Sequence, residues 1–128
     1  MPGRGRARQR PQAPEQPRRP DQSSRSVRGR LGVPRETVGE VVAKSSGASF
    51  ILERKLPALV KHDCRPGFFV DLARKDLGVA LELAESVGAR TALVREAWKL
   101  YGEASAAGFG TLDSSGLLSL LEPSTGKE

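Results

Sequence analysis

The stretch from Gly67 to Gly88 limits the possible folds more than any other part of this chain, because it is the longest run that reads as one amphipathic helix with clear ends. At about 100° per residue, Phe69, Leu72, Ala80, Leu83, Ala84 and Val87 fall in one arc, expected to face the core, while Arg74, Gly78, Glu82 and Glu85 lie opposite. Asp76 points inside the apolar arc, between Leu72 and Ala80, and Lys75 sits on its border. A carboxylate aimed inward must find hydrogen bonds or a cation, since burying it bare is costly. Asp76 is therefore either a satisfied core or interface carboxylate or, with Lys75, part of a cleft where this helix meets a polar ligand.

Helical spacing recurs on both sides of this stretch. Pro34 to Ser45 suits a first helix, with Val38, Val41 and Val42 on one side, and Ser45 to Ser49 is a break. Phe50 to Val60 predicts a second helix, with a kink or restart at Pro57, and Lys61 to Pro66 reads as a polar loop. After the central helix, a further one opens near Thr91 and runs to about Ala107. Its inward stripe is Val94, Ala97, Trp98, Tyr101 and Ala104, with Arg95, Lys99 and Glu103 facing out. Gly108, Phe109 and Gly110 close it, and Asp113 caps a short helix carrying Leu117, Leu118, Leu120 and Leu121. No segment alternates as a strand does, so the expected class is all-α.

Charge divides the chain. Residues 1–30 hold nine arginines against Glu15 and Asp21, while residues 31–128 hold twelve basic and thirteen acidic groups, so the pI of about 10.1 describes the head alone. The head, rich in Arg, Pro, Gly and Gln, reads as a disordered arm over 1–30, followed by a helical domain over 31–122 and a frayed tail over 123–128. Such an arm could hold phosphate backbones. It carries no aromatic residue to stack on bases, which disfavours nucleic acid.

Cys64 is the only cysteine and His62 the only histidine, so neither an intrachain disulfide nor a zinc site is expected, and a reducing, cytoplasmic setting fits. No apolar run reaches the roughly 20 residues of a membrane span, and the head lacks the apolar stretch of a signal peptide. Gly108-Phe109-Gly110 is not a dinucleotide fingerprint, because it lacks the third glycine and follows a helix.

The order of residues from Gly32 to Glu122 resembles the C-terminal helical domain of the β-hydroxyacid dehydrogenases, the group of 3-hydroxyisobutyrate dehydrogenase and tartronate semialdehyde reductase. The residues that carry the resemblance are Gly32-Val33-Pro34, Ser45-Ser46-Gly47, Arg65-Pro66-Gly67-Phe68, Lys75-Asp76-Leu77 with Ala80-Leu81, and Gly108-Phe109-Gly110-Thr111-Leu112-Asp113-Ser114. It implies a helical bundle like the C-terminal domain of 6-phosphogluconate dehydrogenase. It also implies an oxidoreductase moving hydride between NAD or NADP and a small hydroxyacid, with the helical domain closing the site and building a homo-oligomer. By the same resemblance Lys75 matches a cofactor-contacting lysine, and Phe68 and Asp76 match positions lining the nicotinamide and substrate cleft.

Two parts of that family's pattern are missing here, the Rossmann domain and the glycine-rich helix bearing a catalytic lysine and two asparagines. No residue is assigned a catalytic role. The chain is thus expected to be a truncated member, inactive alone, with exposed apolar surface that promotes self-association. The alternative is a non-enzymatic helical protein whose basic arm binds nucleic acid or an acidic partner. The genetic code suggests an origin for the arm: read one base later, the codons of Gln12 to Pro17 permit Lys-Leu-Leu-Asn-Asn, and those of Arg28 to Arg30 permit Glu-Ala-Ala. Residues 1 to about 30 are accordingly expected to be an out-of-frame rendering of the missing helix.

Overall fold

The computed structural model describes residues 23–122. Among them it is all helical: α1 (Val27–Leu31), α2 (Arg35–Ala43), α3 (Phe50–Lys61), α4 (Val70–Ser86), α5 (Ala92–Ala104) and α6 (Leu117–Leu121). A π turn over Ser105–Phe109 prolongs α5, and a 3-10 turn over Ser114–Gly116 leads into α6. The described residues contain no strand, only an isolated antiparallel bridge between Phe69 and Asp113. No helix here is long and apolar enough to cross a membrane.

α1 was not expected, and it corrects the domain boundary at residue 30. Ser26 caps it by accepting the Gly29 N–H at 3.1 Å, and Gly32 ends it at φ 69°, a conformation glycine adopts without strain. The segment is anchored from the other end of the chain: the Arg25 N–H donates to the Leu121 carbonyl at 2.8 Å, and Ser24 is fully buried against Gly29. Composition misled because the anchoring groups lie far away in sequence. Residues 1–22, the rest of the expected arm, and the tail 123–128 fall outside the described residues.

α2 and α3 form a hairpin in which Gly39, buried, lets Leu56 close on the α2 backbone. α3 runs through Pro57 as one helix where a restart had been an alternative; Pro57 and Glu53, whose carbonyl lost its donor, both lie on the exposed side. Ser49 caps its start by accepting the Leu52 N–H at 3.1 Å. His62 ends it at φ 52°, and the Asp63 N–H reaches back to the Ala58 carbonyl at 2.8 Å.

α4 and α5 pack most extensively, and here the expected inward arc of α4 is overturned. Of that arc Leu72, Ala80, Leu83 and Val87 are exposed, Leu83 at 66% and Val87 at 73%, and Val79 beside it is exposed too. Buried are Val70 and Leu81, with Leu77 partly covered, an arc turned by about 100° from the expected one, and only Phe69 and Ala84 of the expected arc stay partly covered. Trp98 of α5 is one contact. Its indole packs against α4 beside Gly78, and the Arg74 guanidinium lies over that ring at 5.1 Å from its centroid. Two arcs of α4 are apolar enough to be buried, and the one that packs against α5 and the segment 110–116 is covered.

The stripe of α5 behaves as its spacing predicts: Val94, Ala97, Trp98 and Tyr101 are half-buried, Ala104 is buried, and Arg95, Lys99 and Glu103 are exposed. Among the described residues the buried apolar set is small, namely Val70, Leu81 and Ala104. Much apolar surface on α1, α3 and α4 consequently faces outward.

Candidate functional site

Phe68, Lys75 and Asp76 lie in the loop before α4 and on its first half. α4 begins without a side-chain cap, so its orphan amides must be satisfied by other means. The segment 110–114 supplies the acceptors: the Val70 N–H donates to the Leu112 carbonyl and the Asp71 N–H to the Gly110 carbonyl, each at 3.0 Å. Phe68 is held on both backbone groups, its N–H donating to Asp113 Oδ1 at 3.1 Å and its carbonyl accepting the Ser114 N–H at 2.6 Å. Its side chain, in a residue 46% exposed, is what remains free.

Lys75 and Asp76 form an ion pair, Nζ to Oδ1 at 3.1 Å, with side chains 65% and 58% exposed. Asp76 therefore does point into the arc of Leu72, Ala80 and Leu83, but that arc faces outward. The inward carboxylate expected from periodicity is an open one, hydrated and paired with its neighbour. On its other flank Lys75 borders a shallow groove with Asp71, Arg74, Gly78, Trp98 and Ser105. Arg74 Nε is buried there without a hydrogen-bond partner, between the indole and Gly102. One arc thus presents a cation, a carboxylate and apolar side chains together, an arrangement suited to contact with a mixed polar and apolar surface.

Two charged clusters that sequence reading did not find hold the elements around this face. Asp113, 7% exposed, was expected to cap the last helix, and it does accept the Ser115 N–H at 3.0 Å and hydroxyl at 2.6 Å. It also pairs with Lys55 of α3 at 2.5 Å. Burial would raise its carboxyl, but the bonds from Lys55 and Ser115 outweigh that and hold it at about 2.

The second cluster centres on Glu122, 4% exposed, which accepts from Ser26 at 2.6 Å, from Arg28 Nε at 2.7 Å and from Arg35 Nε at 2.9 Å. Burial again pushes upward, and these partners outweigh it, bringing Glu122 to about 2. Arg35 Nη2 lies 3.0 Å from His62 Nδ1, and His62 Nε2 lies 3.0 Å from Ser119 Oγ. Since the guanidinium only donates, Nδ1 accepts and Nε2 carries the proton to Ser119. Burial first, then Arg35, lowers the His62 pKa below its ordinary value.

Residues 27–121 match the family model described as the NAD-binding domain of NADP-dependent 3-hydroxyisobutyrate dehydrogenase. The chain belongs to that family. It is 33% identical over 98 residues to 2-(hydroxymethyl)glutarate dehydrogenase of Eubacterium barkeri, covering 76% of this chain and 33% of that protein. To L-threonate dehydrogenase of Haemophilus influenzae it is 31% identical over 91 residues, covering 71% and 30%. Among solved structures, 3-hydroxyisobutyrate dehydrogenase of Salmonella typhimurium superposes with a TM-score of 0.69 at 29% identity, covering 73% of this chain and 33% of the other. The Mycobacterium tuberculosis 3-hydroxyisobutyrate dehydrogenase, with L-serine, gives 0.64 at 25% identity, covering 74% and 35%. The chain spans about one third of the length of these dehydrogenases, whose family uses NAD or NADP.

Proposed function

We propose that this chain is the helical, C-terminal-domain-like part of an NAD(P)-dependent oxidoreductase acting on a small β-hydroxyacid. Its fold would then be that of the 6-phosphogluconate dehydrogenase C-terminal domain. The observation that carries the reading is the outward arc of α4, where Lys75 and Asp76 stand paired among exposed Leu72, Val79 and Leu83. A solvated helix face does not need so much apolar surface, whereas a face covered by a dinucleotide-binding unit and a second subunit does.

In this reading Lys75 donates to an anionic or ribose oxygen of the dinucleotide, and Phe68 and Asp76 line the nicotinamide and substrate cleft. When bound, the dinucleotide supplies the hydride chemistry; these side chains bind and orient, and none is assigned as general acid or base. The names of the relatives, 2-(hydroxymethyl)glutarate, L-threonate and 3-hydroxyisobutyrate dehydrogenases, support a hydroxy-carboxylate as the substrate class. Alone, the chain would bind the cofactor weakly and turn nothing over. The described residues hold no strand leading into a glycine-rich helix start, the element from which most dinucleotide grip comes.

The test is a fluorescence titration with NADPH. Weak binding to the full chain is expected, reduced about tenfold in Lys75→Ala, the cost of one charge-assisted contact. A flat titration, or one that Lys75→Ala leaves unchanged, removes the assignment.

A further inference from the structure

We infer that Asp113, backed by Lys55, is a positioning residue for Phe68, setting where that ring stands relative to Lys75 and Asp76. This rests on the reading of the Phe68, Lys75 and Asp76 face as the cofactor-facing surface. The cap of the short C-terminal turn needs one oxygen of Asp113, and Oδ2 serves it through Ser115. Oδ1 does something a cap does not require. It accepts the N–H of Phe68, 45 positions away in sequence.

The surroundings show that this bond is built for. Asp113 and Ser114 grip Phe68 at its N–H and its carbonyl, and the Asp113 N–H in turn donates to the Cys64 carbonyl at 3.2 Å. Gly67 leaves room for the carboxylate, since a Cβ there would lie 2.8 Å from Oδ1. Lys55 lies behind the carboxylate, reaching Oδ2 at 2.5 Å and Ser114 Oγ at 3.4 Å. It supplies the countercharge that a buried carboxylate needs, so that Oδ1 stays on the loop instead of turning to water. With its backbone held on both sides, Phe68 keeps only its side-chain torsions free. Lys75 and Asp76 follow about one and a half turns into the helix that the same segment docks.

A cap that only stabilises the fold would alter melting and leave ligand affinity of the folded chain alone. The experiment therefore measures NADPH affinity by fluorescence, with amide exchange by NMR on the same samples, for Asp113→Ala, Asp113→Asn, Lys55→Met, Phe68→Ala and the double variant Asp113→Ala with Phe68→Ala. Asp113→Ala is expected to weaken NADPH as much as Phe68→Ala, and the double variant no more than either alone. Asn keeps an acceptor at Oδ1 and should restore most of the affinity. Lys55→Met should lose part of it. Exchange at Phe68 should accelerate in Asp113→Ala while Val70, bonded to Leu112, keeps its protection.

If Phe68→Ala weakens NADPH while Asp113→Ala and Lys55→Met bind as the parent does, the positioning role is overturned and the cofactor-facing reading stands. If Lys75→Ala and Phe68→Ala both leave the titration unchanged, the reading fails and the positioning role fails with it. Should Asp113→Ala not fold, Lys55→Met decides alone: parental affinity overturns the role and reduced affinity supports it.

Discussion

Arg28 and Glu122 stand 94 positions apart and form a two-pronged ion pair, Arg28 Nε to Oε1 at 2.7 Å and Nη2 to Oε2, at a carboxylate almost wholly buried. Arg35 joins from α2 and Ser26 from the cap of α1, so one carboxyl group binds the start of the described chain to its end. Removing one partner of such a pair leaves an uncompensated buried charge. Arg28→Ala is expected to cost about 3 kcal/mol, with Glu122→Gln comparable. A chain beginning at Leu31, which loses Ser26 and Arg28, should show a lower urea midpoint than the full chain.

Acid should unfold the protein early. The folded-state pKa values of Asp113 and Glu122, both about 2, lie below their ordinary 3.8 and 4.5. For a depressed carboxylate the stabilisation is complete above the unfolded value and disappears as pH falls through the folded one. Each group then contributes on the order of 2 to 3 kcal/mol at neutral pH, lost between about pH 4.5 and 2. His62, also depressed, acts with the same sign, its contribution declining as pH drops below 6.5. A urea series from pH 7 to pH 3 checks this, and Glu122→Gln should flatten the lower part of the curve.

Gly39 is the point where α2 and α3 touch most closely. A Cβ there would lie 2.4 Å from Leu56 Cδ1. Because a leucine methyl can partly yield, Gly39→Ala is expected to cost about 1 to 3 kcal/mol, against the gain of a few tenths to 1 kcal/mol usual for this substitution in a helix. Thermal melts of the variant give the sign directly.

The outward arc of α4 predicts self-association. Leu83 and Val87 are its most exposed large members. Sizing chromatography at rising concentration should show species larger than a monomer, and Leu83→Lys should shift them toward monomer without lowering helix content. An unaltered elution profile for Leu83→Lys would place the contact elsewhere.

The coding frame of the head can be checked on the DNA. Ser24, Ser26 and Arg28 are used by the fold as printed, and the shifted reading would put a glutamate at position 28, facing the buried Glu122 carboxylate. Any out-of-frame stretch is thus expected to end before codon 23. Sequencing from upstream of Met1 should show the shifted frame open and spelling Lys-Leu-Leu-Asn-Asn across codons 12 to 17. A stop codon in that frame would remove the idea.

The sequence by itself determined what depends on short-range forces. The cap at Asp113 and the helices from α2 onward, with the inward stripe of α5, follow from hydrogen bonds and spacing within a few residues. The ordered pieces resembling the hydroxyacid dehydrogenases were legible for the same reason, since each is a local string. Tertiary structure alone decided which of two apolar arcs of α4 is buried, because that depends on α5 and on the segment 110–116, which come later in the chain. It also decided that Ser23 to Leu31 belongs to the folded domain. An arginine-rich segment is a solvated tail unless a buried carboxylate receives it, and that carboxylate, Glu122, comes from the far end of the described chain. The second oxygen of Asp113 is a case of the same kind. A cap can be read from its neighbours, whereas an acceptor for an amide 45 positions back exists only once the chain has closed.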